Sequence, residues 1–148
     1  MPKPNGMKQL RKQERCWQGY KAYSVERLAY NIMKTESFKD LIVWQKSYKL
    51  VLEIYMITSS FPKSETYGLS QQMRKAAVSI PSNIAEGYGR KHKAEYNQFL
   101  AIAYGSLLEL ETQFLLAKDL KYIDNTQTVE ALLEEVARML YRMLHPKR

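Results

Sequence analysis

The chain has little of what protein chemistry usually needs. It carries one cysteine and two histidines in 148 residues. A lone Cys16 excludes an internal disulfide framework and any zinc site built on several cysteines. No Glu-x-x-His sequence occurs, so the carboxylate-bridged di-metal site of some helical bundles is absent. Glu109 and Glu111 are two apart, so on a helix they point in different directions and cannot share a metal. Gly87-Tyr88-Gly89 lacks the spacing of a phosphate-binding or dinucleotide-binding loop. The N-terminus has no apolar core of a signal peptide. The longest apolar candidate, Leu50 to Ile57, is broken by Glu53 and is far short of a membrane span. These absences set an expectation: a cytoplasmic protein with no catalytic residues, no metal, no cofactor and no membrane partner.

What the chain does have is basic charge and helical periodicity. The formal net charge is +8. Lys3, Lys8, Arg11, Lys12, Arg15, Lys21 and Arg27 place most of that excess before residue 33. Residues 1–36 read as a basic, poorly structured extension punctuated by Pro2, Pro4, Gly6 and Gly19, with a short helix expected over Ser24–Ile32. Two readings of this segment stand side by side. Translation starts at Met33 and residues 1–32 lie upstream, or they form a basic tail.

Residues 37–145 read as one domain of four helices and no strands. The first runs from an Asp40 cap to Phe61-Pro62, with a stripe of Leu41, Trp44, Tyr48, Val51 and Tyr55 widened by Leu50, Ile54 and Ile57. The second starts at a Ser70 cap, with Leu69, Met73, Ala76, Ile80 and Ile84 inward, and ends where Gly87 and Gly89 offer left-handed positions. The third spans Lys93 to Asp119 on a seam of Leu100, Ala103, Leu107, Leu110, Phe114 and Ala117. The fourth spans Thr126 to Leu144, with Val129, Leu132, Val136, Met139 and Met143 inward. Short connections and wide apolar stripes predict an all-α, antiparallel up-down-up-down bundle.

Ile80-Pro81-Ser82-Asn83-Ile84-Ala85-Glu86-Gly87 is the least ordinary stretch. Proline in a helix removes the hydrogen bond to the carbonyl four residues back, here Ala77, at a cost of about 3 kcal/mol. With small residues before it and glycines after it, the stretch reads as a shaped helix end. Asn83 is expected to bond backbone groups freed by Pro81, Glu86 to pair with Arg90, and Arg74 to meet Glu109 or Glu111. Such contacts would specify packing and register.

Three stretches carry a family resemblance: Phe38-Lys39-Asp40-Leu41 with Val43-Trp44-Gln45-Lys46, then Ala76 to Arg90, and Leu107 to Gln113 with its Glu109-Leu110-Glu111 core. They closely resemble the four-helix bundle proteins encoded in intervening sequences of bacterial 23S ribosomal RNA genes. The resemblance implies a ring-like homopentamer. It also implies kinship with accessory proteins of diversity-generating retroelements, basic bundles that bind nucleic acid and a reverse transcriptase. His92 departs from the family, which tends to have Ser or Thr there, three residues before Glu95. The resulting loss of a capping box predicts a slightly frayed start to the third helix.

The candidate contacts to RNA or DNA are Arg74 and Lys75 on the second helix, Tyr88 as a stacking ring, Arg90, Lys91 and Lys93 in the next connection, and Arg138 and Arg142 on the fourth helix. Lys118, Lys121, Lys147 and Arg148 extend the set. On one subunit these charges are balanced by Glu86, Glu95, Glu134 and Glu135, but repetition around a ring would let several phosphates be engaged at once. The competing expectation is an oligomeric protein–protein scaffold or accessory subunit that binds no nucleic acid.

Overall fold

The computed structural model describes residues 35–146. The expectations for residues 1–32 and for Lys147 and Arg148 lie outside them. The described chain is all-helical: a 3-10 turn at Phe38–Asp40, α1 (Ile42–Thr58), a second 3-10 turn at Lys63–Glu65, α2 (Leu69–Tyr88), α3 (Lys93–Asp119) and α4 (Gln127–Leu144). No strand occurs among the described residues. Helices adjacent in sequence pack on each other, α2 on α3 most extensively, and α4 also packs on α1. α1 and α3 therefore face each other across the core.

The entry to α1 is set by Ser37. Its hydroxyl accepts from the Lys39 N–H, and its own N–H donates to the Asp40 carboxylate at 3.0 Å. Asp40 is thus the far partner of a capping box around the 3-10 turn. It does not cap α1, whose N-cap is Leu41. The buried stripe of α1 also differs from the expected one. Val43, Ser47, Leu50, Ile54 and Thr58 face inward, while Tyr48 and Tyr55 stand 43% and 45% exposed. Two buried hydroxyls explain the difference. Ser47 donates to the Trp44 carbonyl and Thr58 to the Ile54 carbonyl, at 2.8 and 2.7 Å. Each satisfies itself on its own helix and can be buried at little cost.

α2 begins one turn after Glu65, whose carboxylate accepts from the Leu69 N–H at 2.9 Å. Ser70 is buried inside the helix and is not its cap. The helix continues unbroken through the proline motif to Tyr88, with Pro81 buried in its interior. The stretch is therefore not a break in the helix but its last turns, up to the Gly89 cap. Nor do the glycines terminate it by left-handed turns, since no described glycine has positive φ. Gly89 sits at φ −74° as C-cap. Gly87 is buried, and a Cβ there would lie 2.9 Å from Cβ of Phe99 on α3. It is a contact glycine.

α3 buries its expected seam completely. By length and composition it is apolar enough to cross a membrane, yet this seam packs against α2 and α4. Its end is a Schellman motif: Tyr122 N–H donates to the Ala117 carbonyl and Lys121 N–H to that of Lys118, both at 3.0 Å. The left-handed position is Lys121, at φ 60°. On α4, Leu133 and Leu140 are buried, while Met139 and Met143 are only half-buried. The inward stripe therefore leans toward the leucines.

Two substitutions test this packing. Gly-to-Ala inside a helix normally gains about 0.5–1 kcal/mol, but overpacking costs about 1–3 kcal/mol. At Gly87 the clash wins, so Gly87→Ala lowers stability in a urea titration. Lys121→Gly relieves a left-handed lysine and raises it by about 1 kcal/mol.

Candidate nucleic-acid interface

The connection from α2 to α3 comprises Gly89, Arg90, Lys91 and His92. Gly89 N–H returns to the Ala85 carbonyl and Arg90 N–H to that of Gly87, so the chain turns tightly off α2. All four residues are exposed, as is Lys93. The Arg90 guanidinium rests 4.8 Å from the centre of the Phe99 ring, which holds its charge over the start of α3. Arg90, Lys91 and Lys93 form no ion pair with any described carboxylate. Glu86 does not pair with Arg90, because that arginine leans onto α3. His92 occupies the N-cap of α3 without a side-chain hydrogen bond. The positive end of the α3 dipole adds to the three cations.

Tyr88 takes a different role from the one expected. It is half-buried against the core, and its hydroxyl donates to the Thr35 carbonyl at 2.6 Å. The Thr35 hydroxyl lies 3.2 Å away. The ring thus ties the segment before α1 to the end of α2 and does not stand free to stack. Nearby, the Tyr96 hydroxyl is buried with no partner among the described residues. Burial first, and Tyr88 second, push its pKa up to about 12.

The other expected cations divide. Arg74 is half-buried and donates from Nε to the Thr58 hydroxyl at 2.8 Å, with its guanidinium 4.8 Å from the Tyr55 ring centre. It therefore joins α2 to α1 and does not meet Glu109 or Glu111. Lys75 is exposed, but about 22 Å along α2 from Arg90. Lys118 pairs with Glu130, whose carboxyl is held below the usual range by hydrogen bonds from Lys118 and then Thr126. Arg138 meets Glu134 at 3.6 Å in an exposed pair, a weak contact. Arg142 is exposed near the end of α4. Its neighbour Tyr141 meets Tyr104 with ring centres 6.3 Å apart, so this end of α4 lies beside the first half of α3.

The proline motif serves packing. Asn83 donates to the Ser79 carbonyl and hydroxyl at 2.7 and 3.0 Å, and the Ser79 hydroxyl meets that of Ser106 on α3 at 2.8 Å. Asn83 thus bonds one turn back along its own face, and not to the Ala77 carbonyl that Pro81 leaves without its helical donor. Glu109 accepts from Gln113 at 3.1 Å. Glu111 edges a groove of about 280 Å³ between α3 and α4, floored by Phe114, Leu133 and Ala137. No group of three or more potential metal ligands assembles among the described residues.

The fold and site define an all-helical, four-helix protein with unpaired cations where α2 passes into α3. It belongs to the 23S rRNA-intervening sequence protein family, whose model matches residues 39–142. Comparison with curated proteins gives no match.

Tyr96 supplies a test of the packing beneath the cluster. Its hydroxyl stays protonated in the folded chain above pH 10, where the unfolded chain ionises. Its contribution to stability is therefore full below about pH 10 and lost as pH rises toward about 12. Tyr96→Phe should flatten that loss between pH 10 and 12 in chemical denaturation, with little change at pH 7.

Proposed function

We propose that this chain is a non-enzymatic, self-associating helical bundle that binds structured RNA or DNA through Arg90, Lys91 and Lys93. The observation that carries this reading is the cluster itself: three exposed cations, two on the short connection and Lys93 at the first position of α3, free of described carboxylate partners. Unpaired cations release phosphate counterions on binding, whereas paired ones must first break their own contacts. The family's name, with its reference to ribosomal RNA, points the same way. An antiparallel course is supported by bonds at both ends of the α1–α2 pair, Arg74 to Thr58 and Tyr88 to Thr35. Five copies in a ring, as the family resemblance implies, would repeat the cluster around one assembly.

Filter binding with a structured RNA at two salt concentrations tests the proposal. Wild type should bind tightly at low salt and lose affinity steeply as salt rises. The triple substitution of Arg90, Lys91 and Lys93 to Gln should weaken binding and flatten the log–log salt slope by about one unit per lost phosphate contact. Failure of the assembled wild type to bind at low salt would overturn nucleic-acid binding in favour of a protein-only scaffold. A monomer by light scattering at micromolar concentration would overturn self-association.

A further inference from the structure

Two uncharged stripes remain in water after the core is filled. On α1, Tyr48, Leu52, Tyr55 and Met56 share one outer face and are 43% to 61% exposed, with the Arg74 guanidinium of α2 against one side of Tyr55. On α3, the outer face runs through Ala101, Gly105, Leu108, Thr112, Leu115 and Leu116, all exposed. No lysine or arginine occurs between Lys93 and Lys118. Outer helix faces of a soluble bundle are normally polar. Contiguous exposed apolar surface marks an interaction site.

Gly105 sharpens the point. Glycine within a helix costs about 0.5–1 kcal/mol relative to alanine. Gly87 has a reason for that cost in Phe99, but among the described residues nothing beyond its own helix backbone comes within 4 Å of where a Gly105 Cβ would sit. That open space leaves room for the close approach of another molecule.

The two stripes differ in relief and in charge. The α1 stripe is bulky and aromatic, with Lys49 at its edge. The α3 stripe has little side chain at Ala101 and Gly105, which makes a channel there with Glu109 at its edge, and neither Lys49 nor Glu109 is in an ion pair with a described residue. Because α1 and α3 lie across the core from one another, the stripes face opposite sides of the bundle. A two-fold dimer through either stripe would cover that one and leave the other wet. Joining unlike stripes covers both with a single kind of contact, and such head-to-tail contacts close into rings when the rotation permits.

We infer that the outer face of α1 in one copy docks on the outer face of α3 in the next, with Tyr48, Leu52 and Tyr55 seated along the channel at Gly105 and Lys49 near Glu109. This pairing rests on the self-association proposed above and specifies its surfaces.

The test uses Leu52→Glu, which spoils the α1 face, and Leu108→Glu, which spoils the α3 face. Both positions are exposed, so circular dichroism should show wild-type helicity. Each variant alone should be a monomer by light scattering. Mixed one to one at high protein concentration they should form a heterodimer, because one intact stripe of each kind remains. Gly105→Leu fills the channel without weakening the helix, and should also give a folded monomer that forms a heterodimer with Leu52→Glu but none with Leu108→Glu. An isologous dimer from either Glu variant, wild-type mass in either, a monomeric mixture of the two, or a heterodimer of Gly105→Leu with Leu108→Glu would overturn the inference. A monomeric wild type would instead overturn self-association itself.

Discussion

The approach of α2 to α3 is the constraint on which the rest of the bundle depends. It is set by atoms that are missing. Gly87 has no Cβ, and Ala76, Ala77 and Ala103 have nothing beyond theirs, so the two backbones come close and bury their small faces completely or nearly so. The hydroxyls of Ser79 and Ser106 meet across the gap, giving register to an interface that small apolar residues alone would leave free to slide. The basic connection leaves α2 two residues after Gly87. Its position over Phe99 is therefore inherited from this contact.

A second economy governs the polar groups. Buried hydroxyls fold back onto their own helices, and Arg74 lays its guanidinium on Tyr55 while donating to Thr58. Lys46 meets Glu135 at 2.7 Å, and Lys118 is similarly occupied with Glu130. The number of basic residues thus overstates the cations that are free to meet a polyanion. Arg90, Lys91 and Lys93 differ from these cations: none of them is in an ion pair with a described carboxylate.

The helices were legible because long periodic segments declare themselves, and α3 shows its whole seam in the spacing of Leu100, Ala103, Leu107, Leu110, Phe114 and Ala117. α1 misled because polarity hid its inner stripe. Ser47 and Thr58 look like surface residues until their hydroxyls are paired locally, and Tyr48 and Tyr55 look like core until α2 and α4 are in place. Gly87 and Gly89 suggested a left-handed stop, whereas the true left-handed residue is Lys121, which no composition rule would select. At the candidate site, Arg90, Lys91 and Lys93 were readable as a run. The engagement of Arg74, Tyr88 and Lys118 was not, since each partner lies on a different element, many residues away.

Pro81 gives α2 two descriptions. As a rod it is continuous from Leu69 to Tyr88. As a ladder of amide bonds it has a missing rung at Ala77, and the segment beyond the proline leans more on side chains: Asn83 reaching back to Ser79, Ile84 in the core, Gly87 against Phe99. The stiffness of the stalk that carries Arg90 is thus a tertiary property, set by the fit of α2 to α3 as well as by helix formation within α2.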